Sequence, residues 1–512
     1  MVVALLQVIH TGLQDERLLP TKGKPMISFF QKVFIKAGRF TTAWVRLDFD
    51  TRPNFATQAS ITLPRQGHLI TRLYLVTTMP DIAAPQLVAR ANATTRFVGP
   101  TFGWTNSLGH ALIQNATVDI GGARIEQING RLLELLDEFN TPLEKVTIVN
   151  SLLPRIQDGF TPTSIGWTER PTVAVTPLPF WFSRGDPGVA LPIDAINNDQ
   201  VRVNITFAPL NALYVSSAQT SFPAGTTPAG GEAYFPLLNS PFYQTGNDLT
   251  VAGLSGNPTT TTSVSKIPGI TMPSSYSLGD TYMLAEYVYL DKPEANKFRI
   301  SDIQYPIPQH YIFEPADSNG LPKLNIPLRI PNPTRDIFFF AQRYEAQAYN
   351  APFLSSRDLS GLGVLNAPWW PNAQGLNAVN LGNLEPGFST RQSEPLDMIS
   401  LVYENKLYRY SNYAPQIFRS LLPSIVQKKT PWINGYYYNL PFGMEHGIMP
   451  TSVVMGEANL DKIEKIELRL QFKPILGSID PNNVPRYIVY SFAETYNILR
   501  IYGGRAGLLF AF

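Results

Sequence analysis

Residues 465–472 read KIELRLQF, and the reading of this stretch decides the fold class. Ile466, Leu468, Leu470 and Phe472 alternate with Lys465, Glu467, Arg469 and Gln471. Successive side chains of a strand point to opposite faces, so a period of two with one apolar set describes a strand with one face on a core. The pattern recurs upstream. Val201, Val203, Ile205 and Phe207 alternate with Arg202, Asn204 and Thr206, and Val45, Leu47 and Phe49 alternate with Arg46, Asp48 and Asp50. Thr117–Ile120, Gly121-Gly122 and Ala123–Ile128 read as a hairpin, because two glycines supply the positive φ of a primed turn. Residues 337–341 (IFFFA) have no polar face and read as a strand buried on both sides. Helical spacing is scarce: Leu132, Leu136 and Phe139 fall at i, i+4 and i+7 within Gly130–Phe139, and Leu421–Val426 makes a second short turn.

Composition narrows the function classes. The 512 residues carry 41 basic and 39 acidic side chains, a net charge of +2, which lacks the basic footprint of a dedicated nucleic-acid binder. Charged residues make up 16% of the chain, against about 25% in an average soluble protein. Proline is high at 44 and lies mostly between strand candidates, as in a loop-rich all-β chain. Cysteine is absent, so disulfides, thiolate metal sites and cysteine nucleophiles are excluded. Val2–Ile9 is too short and lacks the preceding basic residue of a signal peptide. No run approaches the ~18 apolar residues of a transmembrane helix.

Two segments, Ala208–Asp280 and Ser355–Glu394, read as long loops that pack as ordered excursions, since they hold Phe235, Phe242, Trp369 and Trp370. A faint long repeat relates the halves at a spacing of about 250–280 residues. Periodicity and composition thus give two all-β sandwiches with elaborated loops.

The chemistry sought is missing. His10, His68, His110, His310 and His446 are too far apart in sequence to form a local metal-ligand pair and read as isolated strand or loop histidines. There is no phosphate-binding glycine loop and no nucleophile elbow, and carboxylates are scattered. No catalytic, cofactor-binding or metal residue is assigned. Arg184-Gly185-Asp186 spells a receptor-recognised tripeptide but sits beside Phe180-Trp181-Phe182 and reads as a turn. Of the glycosylation sequons at Asn92, Asn115 and Asn204, the last two fall in strand candidates, leaving Asn92 as the position to check.

Leu6-Gln7-Val8, Gly12-Leu13-Gln14-Asp15, Gly109-His110-Ala111-Leu112-Ile113 and Leu178-Pro179-Phe180-Trp181-Phe182, in this order along the chain, resemble blocks of the major capsid proteins of nucleocytoplasmic large DNA viruses. The opening Leu6-Gln7-Val8, Gly12-Leu13-Gln14-Asp15 and Ile27-Ser28-Phe29-Phe30-Gln31-Lys32 is similar to the family's start, with Leu13 in place of its usual alanine. Gly109-His110-Ala111-Leu112-Ile113, Ile120-Gly121-Gly122 and Leu178-Pro179-Phe180-Trp181-Phe182 follow in the family's order. So do Glu286–Asp291 and Tyr496–Ile501 before Gly503-Gly504. Two departures are local: the turn at Pro450-Thr451-Ser452, with Gly456 delayed, and the length of Ala208–Asp280.

The resemblance implies two consecutive eight-stranded jelly-roll β-sandwiches, placed at 25–291 and 301–512, with an arm at 1–24 and a linker at 292–300. It also implies a homotrimer forming a pseudo-hexagonal capsomer in an icosahedral virion shell, assembled in the host cytoplasm. The implied partners are further copies, neighbouring capsomers, and minor capsid and penton proteins, with no direct nucleic-acid contact and only indirect contact with an inner membrane. No cofactor is expected. Two alternatives remain open at the level of the sequence: a virion surface or spike protein, and a carbohydrate-binding β-sandwich protein.

Overall fold

The computed structural model describes residues 40–81, 101–155, 172–220, 276–344, 351–357, 394–432, 435–443, 456–474 and 480–510, with short strands at 233–236, 249–252 and 261–264. The chain divides into two compact units, Met1–Phe40 and Thr41–Phe512. The 1–24 arm, Asn92, the turn at 450–452, Trp369 and Trp370 lie outside the described residues.

Sixteen strands carry the architecture. The first eight are β1 (Phe40–Asp48), β2 (Gln58–Thr62), β3 (Leu69–Thr78), β4 (Ile113–Ile120), β5 (Ala123–Ile128), β6 (Val173–Pro177), β7 (Val201–Phe207) and β8 (Thr281–Leu290). The second eight are β9 (Ile303–Ile312), β10 (Lys323–Leu328), β11 (Pro333–Arg343), β12 (Leu396–Tyr403), β13 (Leu407–Tyr413), β14 (Tyr437–Pro441), β15 (Ile466–Phe472) and β16 (Tyr487–Tyr502). They form four sheets, ordered β1-β8-β3-β6, β2-β7-β4-β5, β9-β16-β11-β14 and β10-β15-β12-β13. Adding eight to each label of the first pair of sheets gives the second pair, so the chain holds the jelly-roll order twice. Phe40 and Ile303 open equivalent strands, within the repeat spacing expected from the sequence.

The alternation behaves as expected. Along β15, Ile466, Leu468, Leu470 and Phe472 are buried, and the residues between them are half-buried. The β4–β5 hairpin turns on Gly121 and Gly122, with φ of +59° and +87°. A Cβ at Gly121 would also stand 2.9 Å from the Asp199 carboxyl carbon, so the position needs glycine for both space and backbone hand.

β11 explains the run 337–341. Ile337, Phe339 and Ala341 enter the core of the second roll, whereas Phe338 and Phe340 point the other way, into a cluster continuous with the core of the first roll. An antiparallel sheet commonly leaves one face wet; this one is covered on both.

Helices enter where turns are sealed. α1 (Gly130–Asn140) matches its expected position and is capped by the Asn129 side chain, which accepts from the Leu132 N–H. α2 (Leu143–Leu152) is not foreseen, because only Val146 is buried and its apolar residues form no stripe. The linker residues 292–300 form a helix, α3 (Lys292–Ile300), started by Asp291, whose carboxylate accepts from the Lys292 N–H, and by the adjacent Pro293. The second expected turn is longer than read, a π-helical segment Ile417–Leu421 running into an α-helix Leu422–Val426. The Ala208–Asp280 excursion is not loop throughout. Its strand Tyr214–Thr220 pairs antiparallel with both Thr101–Trp104 and Ala233–Pro236, and Leu249–Ala252 pairs with Thr261–Val264.

Candidate functional site

The most elaborate side-chain arrangement lies in the seam between the rolls. The outer face of β9-β16-β11-β14 meets β5, α1 and the Trp181–Ser183 turn. Phe139 of α1 packs on Phe338 with ring centroids 5.4 Å apart, and the Arg131 guanidinium lies 4.2 Å over the Tyr490 ring. Gln309 donates to the Ile125 carbonyl across the same joint.

Two buried ion clusters are set into this apolar seam. In the first, Arg184 reaches Glu494 at 2.5 Å and Glu126 at 3.2 Å, so one guanidinium joins a residue of each roll. Glu126 also accepts from the Trp181 N–H at 2.7 Å and lies 3.0 Å from His310 Nδ1. Arg184 Nη2 lies 3.1 Å from the same Nδ1. The side chains of Glu126 and His310 are fully buried. The tripeptide Arg184-Gly185-Asp186 therefore has its arginine locked inside the molecule, and Gly185 turns the chain there with φ of +86°.

The second cluster hangs on α1. Glu134 accepts from Ser107 Oγ at 3.0 Å and lies 2.6 Å from His110 Nδ1. Arg155 pairs with Asp137 and lies 3.5 Å from Glu138. Glu138 crosses to the second roll, taking Lys429 Nζ at 3.3 Å and the Trp432 N–H at 3.0 Å. Burial works to raise the Glu134 and Asp137 carboxyls, but the Arg155 guanidinium, with His110, outweighs it and holds both below the usual carboxylate range.

A carboxyl depressed in the fold stabilises it above the unfolded titration range, and that contribution is lost as pH falls through the folded value. Thermal midpoints should therefore drop below pH ~4. Glu394 has the opposite sign, since burial pushes it up despite Arg419 and Tyr438. The seam's share is the difference between the wild type and Glu134→Gln. A shallower acid limb in the variant is the expected result, and superimposable limbs would show that Glu134 carries none of it.

A third set of contacts pins the end of β16. Asn198 donates from Nδ2 to the Gly503 carbonyl at 2.8 Å and from its backbone N–H to Gly504. Asp199 accepts from the Ala506 N–H. A cleft of about 550 Å³ opens beside the seam, lined by Asp137, Arg184, Arg335, Asp336 and Glu494 among others. Asp137, Arg184 and Glu494 belong to the ion clusters, and Asp336 accepts from Asn439 Nδ2 at 2.8 Å. Among the described residues no group of three or more His, Asp or Glu is placed to hold a metal ion. His110 and His310, read from sequence as isolated, are instead partners of buried glutamates.

The geometry is that of two jelly rolls packed through one seam. The family described as major capsid protein N-terminus matches residues 28–291, more than half of the chain. The chain belongs to the major capsid protein family. This capsid protein is 24% identical over 503 residues to the major capsid protein of Wiseana iridescent virus, covering 94% of this chain and 88% of that one. Its identity to the major capsid protein of Pyramimonas orientalis virus is 30% over 214 residues, 40% of this chain and 46% of the relative. With capsid protein 1 of Acanthamoeba polyphaga mimivirus it is 27% over 220 residues, 42% and 35%. The chain thus spans between a third and a half of the length of these last two relatives.

VP54 of PBCV-1 shares the fold, with a TM-score of 0.62 at 18% identity, covering 95% of this chain and 100% of that one. The Faustovirus major capsid protein gives 0.57 at 12%, covering 93% of each. The relatives are named as capsid proteins of viruses.

Proposed function

We propose that this capsid protein assembles as a homotrimer whose six rolls make a pseudo-hexagonal capsomer, and that capsomers tile an icosahedral virion shell. The duplicated strand order carries the reading: two equivalent rolls locked side by side are a third of a six-cornered tile. Chemistry at a site has no part in this function; the molecule works by shape. Apolar area buried between subunits supplies about 25 cal/mol per Å². Contacts between capsomers can be weak one by one, because each block engages several neighbours at once. We place the rolls at 25–291 and 301–512, with 292–300 as the joint and 1–24 as an arm facing minor capsid proteins inside the shell. Penton proteins complete the partner set.

Sedimentation at native pH, with viral chaperones coexpressed, should give a species three times the 56.9 kDa chain mass. A persistent monomer would overturn the trimer. In purified particles the chain should be the dominant stained band; a minor band would favour a spike role.

A further inference from the structure

We propose that His310 is a proton-operated switch in the seam. Its neutral ring joins Glu126 to Arg184 and helps to hold the rolls together there. A second proton on the ring drives the guanidinium away and loosens the joint. The device lies within one chain and does not rest on the trimer.

His310 belongs to β9 of the second roll, and its side chain is fully buried, as is that of Glu126 on β5 of the first. Nδ1 of the ring lies 3.0 Å from Glu126 Oε1 and 3.1 Å from Arg184 Nη2, and Nε2 lies 3.3 Å from the same Nη2. A neutral imidazole carries one N–H and one lone pair, so either tautomer offers Arg184 a nitrogen that accepts. With the proton on Nδ1, the ring donates to Glu126 and accepts from Arg184 at Nε2, and both neighbours are satisfied. The imidazolium has two N–H groups and nothing that accepts. It sets a positive ring 3.1–3.3 Å from a guanidinium nitrogen, where little water is present to screen the repulsion.

The guanidinium cannot turn aside without losing other partners. Its Nε donates to the Pro179 carbonyl at 3.0 Å, and its Nη1 meets Glu494 at 2.5 Å. Glu126, the attractive neighbour, already accepts from the Trp181 N–H at 2.7 Å and from Arg184 at 3.2 Å. The remaining charges around the ring come from β16 and β11. Glu494 stands directly across the ladder from His310. Arg335 donates to the Tyr496 hydroxyl at 3.0 Å, and Asp336 accepts from Asn439. The cleft beside the seam is lined by Arg184 and Glu494, so a proton has a route to a ring that is itself dry.

The second buried histidine of the seam is an internal control. His110 lies 2.6 Å from Glu134 through Nδ1, and its ring meets Phe353 edge-on with centroids 6.5 Å apart. Among the described residues no guanidinium nitrogen stands within hydrogen-bonding distance of that ring. A proton added there meets a carboxylate and leaves the joint in place. Histidines in an interface act as switches when the added charge changes which partners they keep, and His310 is the one whose partners include a cation.

Hydrogen exchange of the intact chain tests this, read by mass spectrometry at about pH 8 and about pH 5.5, the window in which imidazoles change charge. After correction for the intrinsic effect of pH, amides of 123–128, 181–187 and 303–312 should exchange on the order of tenfold faster at the lower pH, while strand 466–472 stays unchanged. His310→Gln can donate to Glu126 and accept from Arg184 but takes no proton, so it should lose that difference. His310→Asn, which places the same groups nearer Nδ1, should lose it too, and His110→Gln should keep it. Corrected exchange in the wild type that is equal at both pH values, or that rises as much in 466–472, would overturn the switch whether or not a variant folds. A response that survives in a folded His310→Gln or His310→Asn chain, or that disappears in folded His110→Gln, would overturn it as well.

Discussion

Arg184→Met is expected to lower the unfolding free energy of the capsid protein by ~3–5 kcal/mol, the range for breaking a buried ion pair from one side. The guanidinium lies between Glu126 and Glu494, whose side chains are 0% and 8% exposed, and its Nε donates to the Pro179 carbonyl at 3.0 Å. Methionine fills much of the same volume, so the loss is electrostatic: two carboxylates stay dry, and one cation that served both is gone. Urea titration of the purified chain reads the effect directly. The companion variant decides the cause. Adding Glu126→Gln and Glu494→Gln to Arg184→Met removes the two charges the guanidinium met and should restore at least half of the lost stability, because a neutral amide costs less to bury than a carboxylate that has lost a cation. Arg184→Met within 1 kcal/mol of wild type would show that the cluster is not holding the rolls together. A triple variant no better than the single would assign the loss to packing instead.

The elements and the seam differ in how far sequence reaches them. Strands such as 466–472 are legible because the core imposes a period of two on neighbouring residues, and the Gly121-Gly122 turn because its backbone hand excludes other side chains. The two-sided burial of residues 337–341 is legible as well, but not what lies on the second face. That face is the first roll, and the contact is long-range. Arg184 and Glu494 stand 310 positions apart, and Glu126 and His310 184 apart. No local periodicity encodes such pairs. The sign of the cluster in the sequence is a charged residue two positions after the aromatic run Phe180-Trp181-Phe182, where a plain surface turn is the simpler reading. α2 is missed because its apolar residues Leu143 and Ile148 face outward, at 65% and 63% exposure, so no stripe marks it. α3 carries a readable start in Asp291 and Pro293, but with Ala295 alone buried it lacks the apolar face that would raise it above a linker.

The duplication turns these separate findings into one design. A roll that stood alone would need each sheet apolar on its inner face only. In the second roll one sheet is apolar on both, and the elements that cover it belong to the first. Ionic and aromatic contacts then fix the angle between rolls, which a tile must keep when its neighbours load it. Burying charges in the seam adds little net stability compared with apolar packing. It does make misaligned packings costly, because a shifted roll would leave Glu126, Glu494 or Glu138 dry and unpaired.

Neighbouring residues of β11 test that division of labour. Phe338→Ala and Phe339→Ala should each cost ~3–5 kcal/mol, as expected for emptying a buried phenylalanine site. Phe339 stacks on Tyr438 at 5.1 Å inside the second roll, and Phe338 meets Phe139 of the first. Equal costs should therefore have different consequences. With a site-specific protease sequence placed after Ile300, which is 85% exposed, the chain can be cut between the rolls. The cut wild type and cut Phe339→Ala should elute as one species, because the seam is intact in both. Cut Phe338→Ala should separate into two fragments at lower denaturant than either, since the cavity lies on the surface that joins them. If Phe339→Ala released its fragments as readily, the rolls would be held by the stability of the second roll's core rather than by the aromatic contact across the seam.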